Sequence, residues 1–468
     1  MTRQYHLESA LLPQGWGRDV LVTVADDGHI SGIDVPAGQA AAHPDAQRVA
    51  GFVVPGMPNA HSHAFQRGMA GNTEYRLSAR DSFWTWRRAM YALANRITPG
   101  DLQVLATQLF VEMLKVGYTS VAEFYYLHRQ PGGELYAGAN GLWEAVGAAA
   151  EATGIGLTFL PTLYQTSDFG AQPLKPEQLR FAAQTEWFLR AIEERCGAER
   201  RAVSATRRTG ASFHSLRAVP LESLREAIHG LRRIDPGMPV HIHIAEQTKE
   251  VEACKHYTGR RPIELLLDTG LVDRHWCLVH ATHATAAELA GIAATTAAVC
   301  VSVSTEANLG DGFFDALRFL KLGGRVCIGS DSQATVCPAE ELRWMEYQQR
   351  LRKRRRGVLA EKSEPHVGTR LWREAAEHGA SALGQPAGTL AVGRRADWLV
   401  LDATHPSMAG ATAATALDHL LFAGGSAAIR DVMVAGRWVV EGRRHRAEEP
   451  LRGRFLELMA ELAGRSQG

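Results

Sequence analysis

Eight short apolar runs, each followed by a helix-like segment, constrain this chain more than any other feature. The first four are "GFVVPG" near Phe52, "TSVAEF" ending at Phe124, "GIGLTFLPTL" ending at Leu163 and "AVSAT" around Val203. The others are "PVHIHIAE" ending at Glu246, "WCLVHATH" at His283, "AAVCVSVST" at Thr305 and "RVCIGSDS" at Ser332. Between them lie helical patterns such as "PGDLQVLATQLFVEMLKVG", with glycine where a helix should stop. Strands that alternate with helices pair in parallel and are buried on both faces. Eight such units predict an α/β fold, a (β/α)8 TIM-type barrel. The two ends differ, because "RDVLVTVADDGHISGIDVP" and "IRDVMVAGRWVVEGRR" read as short alternating strands joined by tight turns. They predict a small β-sandwich domain built from residues 1–50 and 388–446, a barrel over 51–387 and a C-terminal helix over 447–468.

Composition matters here for what it excludes. The formal net charge of +1 over 468 residues gives no global pull toward nucleic acid or an anionic membrane. The basic run "RLRKRRRG", Arg350–Gly357, follows a helix-like segment without interleaved aromatics and reads as a solvated helix end. Cys196, Cys254, Cys277, Cys300, Cys327 and Cys337 are scattered without a CxxC pair, so they read as small buried hydrophobes. No apolar run approaches the roughly 18 to 20 residues that span a bilayer. The start of the chain also lacks an apolar segment with a small-residue cleavage site, which predicts a cytoplasmic protein.

The chemistry begins at "PGMPNAHSHAFQRGMAG", Pro55–Gly71. Residues i and i+2 of a strand point the same way, so His61 and His63 project together beyond the end of the first strand. In a barrel that end carries the active site. Two imidazoles side by side with no acid between them suit a divalent cation. Other strand ends offer matching types: His241, His243 and Glu246 on the fifth, His280 and His283 on the sixth, Asp331 on the eighth. A strand-end histidine can equally be a hydrogen-bonded core residue, and Asp331 a helix cap, but four ends of one barrel together favour a metal site.

These stretches, with "SFWTWRRAMY", "AEFYYLH", "FHSLRAV" and "TEANLGDG", resemble the amidohydrolase superfamily in its mononuclear deaminase branch, and within it the formimidoylglutamate deiminases. The resemblance runs along essentially the whole chain, to "GTLAVGRRADWLVLD". It implies zinc-dependent deimination of N-formimidoyl-L-glutamate to N-formyl-L-glutamate and ammonia, a step in histidine degradation, with a metal-activated water attacking the formimidoyl carbon. It implies the metal ligands His61, His63, His243 and Asp331, with His243 preferred to His241 because the family's ligand stands three residues before the glutamate. One Zn2+ per chain is expected, with iron the alternative, since no bridging lysine stands at the end of strand four. Glu246 would shuttle the proton, His280 would polarise water and intermediate, and Asp331 would also accept the water's proton. Gln66, Arg87, Tyr126, His214 and Arg217 match the family's substrate contacts, the arginines suiting a substrate with two carboxylates. A homodimer is what the family suggests.

The chain departs from the family pattern twice. "SATRRTGASF" precedes His214 where the family has a short apolar strand, and Gln333-Ala334-Thr335 follows "GSDS" where the family has histidine and Val-Ser. Glu306 and Asn308 sit after strand seven without an assignable role. One rival reading keeps the zinc and Glu246 but takes a nucleobase or guanidino compound, with less need for Arg87 and Arg217. The other is a non-catalytic barrel used as an assembly module, which would be expected to lose its metal ligands.

Overall fold

The computed structural model describes residues 2–35, 43–74, 83–136, 141–202 and 204–464. Val203, placed above in the fourth strand, lies outside them, as do 465–468 of the expected C-terminal helix. The chain opens with β1 (Arg3–Leu12), β2 (Gly15–Val24), β3 (Ile30–Asp34) and β4 (Gln47–Pro55). It continues through β5 (Met57–Ser62), β6 (Tyr118–Tyr125), β7 (Gly156–Leu163), β8 (Arg207–Thr209), β9 (Ala211–Phe213) and β10 (Val240–Ile244). Then come β11 (Trp276–His280), β12 (Ala298–Val301), β13 (Arg325–Ile328), β14 (Trp398–Leu401), β15 (Ile429–Val434), β16 (Arg437–Glu441) and β17 (Arg444–His445).

The chain ends form one eight-stranded sheet in the order β17-β16-β15-β14-β4-β1-β2-β3. It folds around its own core of Tyr5, Leu7, Val22, Val53, Trp398 and Val400. The strands β5 to β13 make the parallel barrel, with β8 and β9 sharing the fourth position between β7 and β10. Closure comes from a parallel bridge between Ser62 and Asp331. Asn59 tightens it by donating to Ser330 Oγ at 2.7 Å and accepting from Ser330 N at 3.0 Å. Gly329 has to be glycine here, since a Cβ would stand 2.7 Å from His61 Cβ and 2.8 Å from its carbonyl oxygen.

Three strands differ from the sequence reading. "GFVVPG" belongs to β4 in the small sheet, and β5 is the first barrel strand, with His61 on it and His63 just after. Val53 packs into the sheet core and Val54 into the barrel core, so β4 is apolar on both faces like a barrel strand. The fourth strand is not "AVSAT", whose Ser204–Thr206 lie outside any strand, but the pair β8 and β9. The sequence "RRT" hides it: these half-buried arginines reach outward, Arg207 donating to Gly147 O at 2.8 Å. Between the two pieces Gly210 admits Leu160 and Pro239, which a Cβ would meet at 2.6 and 2.8 Å. In "AAVCVSVST" only Ala298–Val301 is strand, and Val303–Leu309 turns helical.

The helix Pro99–Lys115 follows the expected pattern and carries a capping box, Thr98 Oγ1 accepting from Asp101 N at 3.2 Å and Asp101 Oδ2 from Thr98 N at 2.9 Å. Its end is set by Gly117 at φ 103°. The run 351–356 is exposed at the end of the helix Pro338–Lys353. All six cysteines are free, and all but Cys337 are buried. Among the described residues no helix is long and apolar enough to cross a membrane.

Candidate metal centre and active-site pocket

The strand ends deliver three imidazoles and one carboxylate to a single point. One ligand atom each from His61, His63, His243 and Asp331 lies within 4.8 Å of all the others, and all four residues are buried. Asp331 Oδ1 stands 3.3 Å from His61 Nε2 and 3.5 Å from His63 Nε2, and His243 Nε2 is 3.0 Å from His61 Nε2. Backbone carbonyls orient two of the rings: His63 Nδ1 bonds Phe124 O at 2.9 Å and His243 Nδ1 bonds His214 O at 2.9 Å. Donation from Nδ1 leaves the Nε2 lone pairs facing the centre, as metal-binding histidines require.

Charge agrees with this arrangement. Burial holds His61 down at about 3, lowers His63, and takes His243 well below the ordinary histidine range. Asp331 stays ionised despite its burial because His61, His280 and His63 surround it. Three neutral imidazoles and one carboxylate are a donor set that fits a divalent ion.

Beside this cluster, His280 Nε2 lies 3.7 Å from Asp331 Oδ2 and 3.9 Å from Glu246 Oε1. Behind it, Glu306 Oε1 meets His280 Nδ1 at 3.3 Å and accepts from Ser302 N at 3.1 Å. Burial opposes the charged form of His280, but Glu246, Glu306 and Asp331 outweigh it and raise the ring to about 10. Burial pushes Glu246 up to about 7, against the pull of His280. A carboxyl poised there can take and return a proton near neutrality. The backbone around these groups is strained: Ala245, His280, Ala281, Asp331 and Gln333 all have left-handed φ, from 45° to 72°. Such conformations cost on the order of 1–3 kcal/mol each and persist where surrounding structure enforces them.

One pocket is lined by His63, His243, Asp331, Glu246 and His280, together with Gln66, Arg87, Tyr126, His214 and Arg217. His61 stands behind its wall, fully buried. Gln66 Nε2 donates to Tyr126 Oη at 3.0 Å, and Arg87 Nη2 to Tyr164 Oη at 3.3 Å. Burial and the charges of Arg217 and Arg87 take His214 well below the ordinary histidine range, so it is neutral. Neither Arg87 nor Arg217 makes an ion pair among the described residues, and Arg217 Nε is buried without a partner. His241 faces into the barrel below His243 and bonds Ala382 O at 2.8 Å, apart from the cluster. Neither His283 nor Asn308 lines the pocket, and Asn308 instead donates to Glu74 Oε1 at 2.9 Å on the surface. Gln333 reaches back to Ser62 Oγ at 3.1 Å and to Asp331 O at 2.7 Å, stitching the loop of the last ligand to the first strand.

Sequence reasoning missed the supports. Glu306, read as following strand seven without a role, orients His280 from the helix Val303–Leu309, whose first turn read as strand. Glu250 accepts from Glu246 N at 3.2 Å, and its signal was an acid in the first turn after "HIHIAEQ". Asp311, raised to about 9 by burial and by Glu246, bonds Gln247 from "LGDG".

A barrel whose strand ends bring such a donor set to a proton-transferring pair defines a class of metal-dependent hydrolases, and the comparisons agree. The amidohydrolase family matches residues 52–439, and the chain belongs to it. Over 456 residues it is 48% identical to formimidoylglutamate deiminase of Pseudomonas aeruginosa, covering 97% of this chain and 98% of that protein. It is 27% identical to a 5-methylthioadenosine/S-adenosylhomocysteine deaminase of Halobacterium salinarum, covering 96% and 94% of the two chains. A crystal structure of an amidohydrolase from Brucella melitensis superposes with a TM-score of 0.91 at 40% identity, covering 98% of this chain and 100% of that one. An adenosine deaminase from Xanthomonas campestris with bound zinc shares the fold, with a TM-score of 0.80 at 20% identity over 98% of each chain. The chain is thus a hydrolase acting on C–N bonds.

Proposed function

We propose that this chain hydrolyses N-formimidoyl-L-glutamate to N-formyl-L-glutamate and ammonia, using one zinc ion. The observation that carries the reading is one pocket shared by the metal-ligand cluster and two arginines that make no ion pair among the described residues. Likeness to the Pseudomonas aeruginosa deiminase supports the substrate's identity. A nucleobase would need a flat apolar slot and would leave both guanidiniums desolvated and unanswered.

His61, His63, His243 and Asp331 would hold the ion, which when bound lowers the pKa of a water toward about 7. Asp331 divides its oxygens, Oδ1 toward His61 and His63 and Oδ2 toward His280, so it can take a proton from the attacking water. His280, fixed through Nδ1 by Glu306, directs Nε2 at the oxygen that gains charge. Glu246 carries the proton to the imino nitrogen. The proton of the hydroxyl left on that carbon then passes by the same carboxyl to the amino nitrogen, the C–N bond breaks, ammonia leaves and the oxygen stays as the formyl carbonyl. Arg87 and Arg217 take the two carboxylates as forks, and Gln66, Tyr126 and His214 shape the remaining polar wall. Zinc, like a cytoplasmic homodimer serving histidine degradation, follows from the family reading, and the three nitrogens and one oxygen suit it.

The test is ammonia release by the purified, metal-loaded protein from N-formimidoyl-L-glutamate, N-formimidoyl-L-aspartate, guanine and cytosine. Selective turnover of the glutamate compound is expected. Absence of turnover with one metal bound per chain would sink the assignment.

A further inference from the structure

The two arginines of the pocket share a support. The helix Phe83–Ala94 carries Trp84, Arg87 and Tyr91 along one face at positions i, i+3 and i+7. The Arg87 guanidinium stands 5.4 Å from the Trp84 ring centroid and 5.1 Å from that of Tyr91. Arg217, on the segment after β9, stands 5.9 Å from the same Trp84 ring. Lys249, on the helix Thr248–Thr258 after β10, stands 5.6 Å from it. One aromatic ring thus meets cations from three separate segments at the barrel mouth. Arg87 and Arg217 line the pocket, whereas Trp84 and Lys249 do not.

We infer that Trp84 is a positioning residue, holding Arg87 and Arg217 in register for a substrate with two carboxylates. The inference rests on the dicarboxylate reading of the pocket. Two guanidiniums aimed into one pocket repel each other and need something to hold them before substrate arrives. A protein carboxylate would hold them by occupying the N–H forks that the substrate must use. An aromatic face attracts the cation through its quadrupole and leaves the in-plane donors free. The buried carboxyls of Glu246 and Glu250 attract Arg217 from a distance, but neither comes within 4 Å of it among the described residues, so they do not occupy its N–H forks.

The experiment compares W84L and W84F with the wild type in steady-state kinetics and in phenylglyoxal labelling of Arg87 and Arg217 read by peptide mass spectrometry. W84L should raise KM roughly ten-fold and leave kcat unchanged, the loss expected for two cation–π contacts. It should also erode the preference for N-formimidoyl-L-glutamate over the one-carboxylate analogue N-formimidoyl-4-aminobutyrate. W84F, which keeps a π face, should recover most of the loss, whereas a merely space-filling role would let leucine serve as well. Labelling of both arginines should accelerate in W84L and not in W84F, whatever the true substrate is. Faster labelling with no turnover by the wild type would uphold Trp84 and sink the substrate reading. Unchanged labelling, or a fall in kcat at constant KM, would overturn the inference.

Discussion

Two parts of the site are built differently. The groups proposed to hold the ion and move protons stand at strand ends, on β5, β10 and β11 and just past β13, tied by ladder and carbonyl hydrogen bonds. Of those proposed to read the substrate, Gln66 stands in a short turn, Arg87 on a helix and Arg217 on the segment past β9, while Tyr126 and His214 directly follow β6 and β9. Strand ends are positioned by the whole barrel, whereas connecting segments are positioned by side chains such as Trp84. The chemistry is therefore held by the barrel and much of the recognition by its connecting segments, and damage to each should read differently.

The sharpest way to break the comparison is D331N. The amide keeps the shape and removes the one anion among the four ligands, so metal content should fall below one per chain. Activity should drop by roughly a thousand-fold or more, checked by metal analysis beside the ammonia assay. A smaller effect is expected from E306Q, which touches no substrate and acts through His280. Loss of that charged partner should lower kcat roughly ten-fold with metal content and KM unchanged, since hydrogen bonds to charged groups contribute about 1.5–3 kcal/mol.

The smallest effect probes the scaffold under that helix. Glu341 is fully buried, accepts from Ser304 N at 3.1 Å, and burial raises its carboxyl from the ordinary value of 4.5 to about 8. A folded-state pKa above the unfolded value means the folded chain favours the neutral acid. Its contribution to stability is therefore complete below about 4.5 and is lost as pH rises through about 8. E341Q, which keeps the acceptor and cannot ionise, should flatten the fall of Tm across that window, by roughly 2 °C at its alkaline end. A parallel fall in both proteins would contradict this.

The two parts also differed in how far they could be read beforehand. The strand ends were legible because alternation puts His61 with His63 and makes HIH point as one, and apolar runs announce where a strand finishes. The recognition residues carried no such periodicity; single arginines and a histidine on connecting segments became candidates only through family motifs. The barrel itself was legible from its count of units, yet β4 passed for its first strand because Val53 and Val54 are buried on opposite faces. β8 stayed hidden because its arginines are polar at the tip and apolar along the stem. Glu306 could not be given a role while the helix that carries it read as the tail of a strand, since no periodicity fixes a strand's end within "VSVST".

The most direct test measures kcat, KM and bound metal for E246Q and R217M side by side on N-formimidoyl-L-glutamate. The account predicts one metal per chain in both. E246Q should lose roughly 10²–10⁴-fold in kcat with KM nearly kept, since its proton transfer belongs to the reaction and not to binding. R217M should keep kcat and raise KM roughly 10- to 100-fold, the loss of one charged fork. Equal falls in kcat for both variants, or loss of metal from R217M, would contradict a site whose chemistry and recognition are built apart.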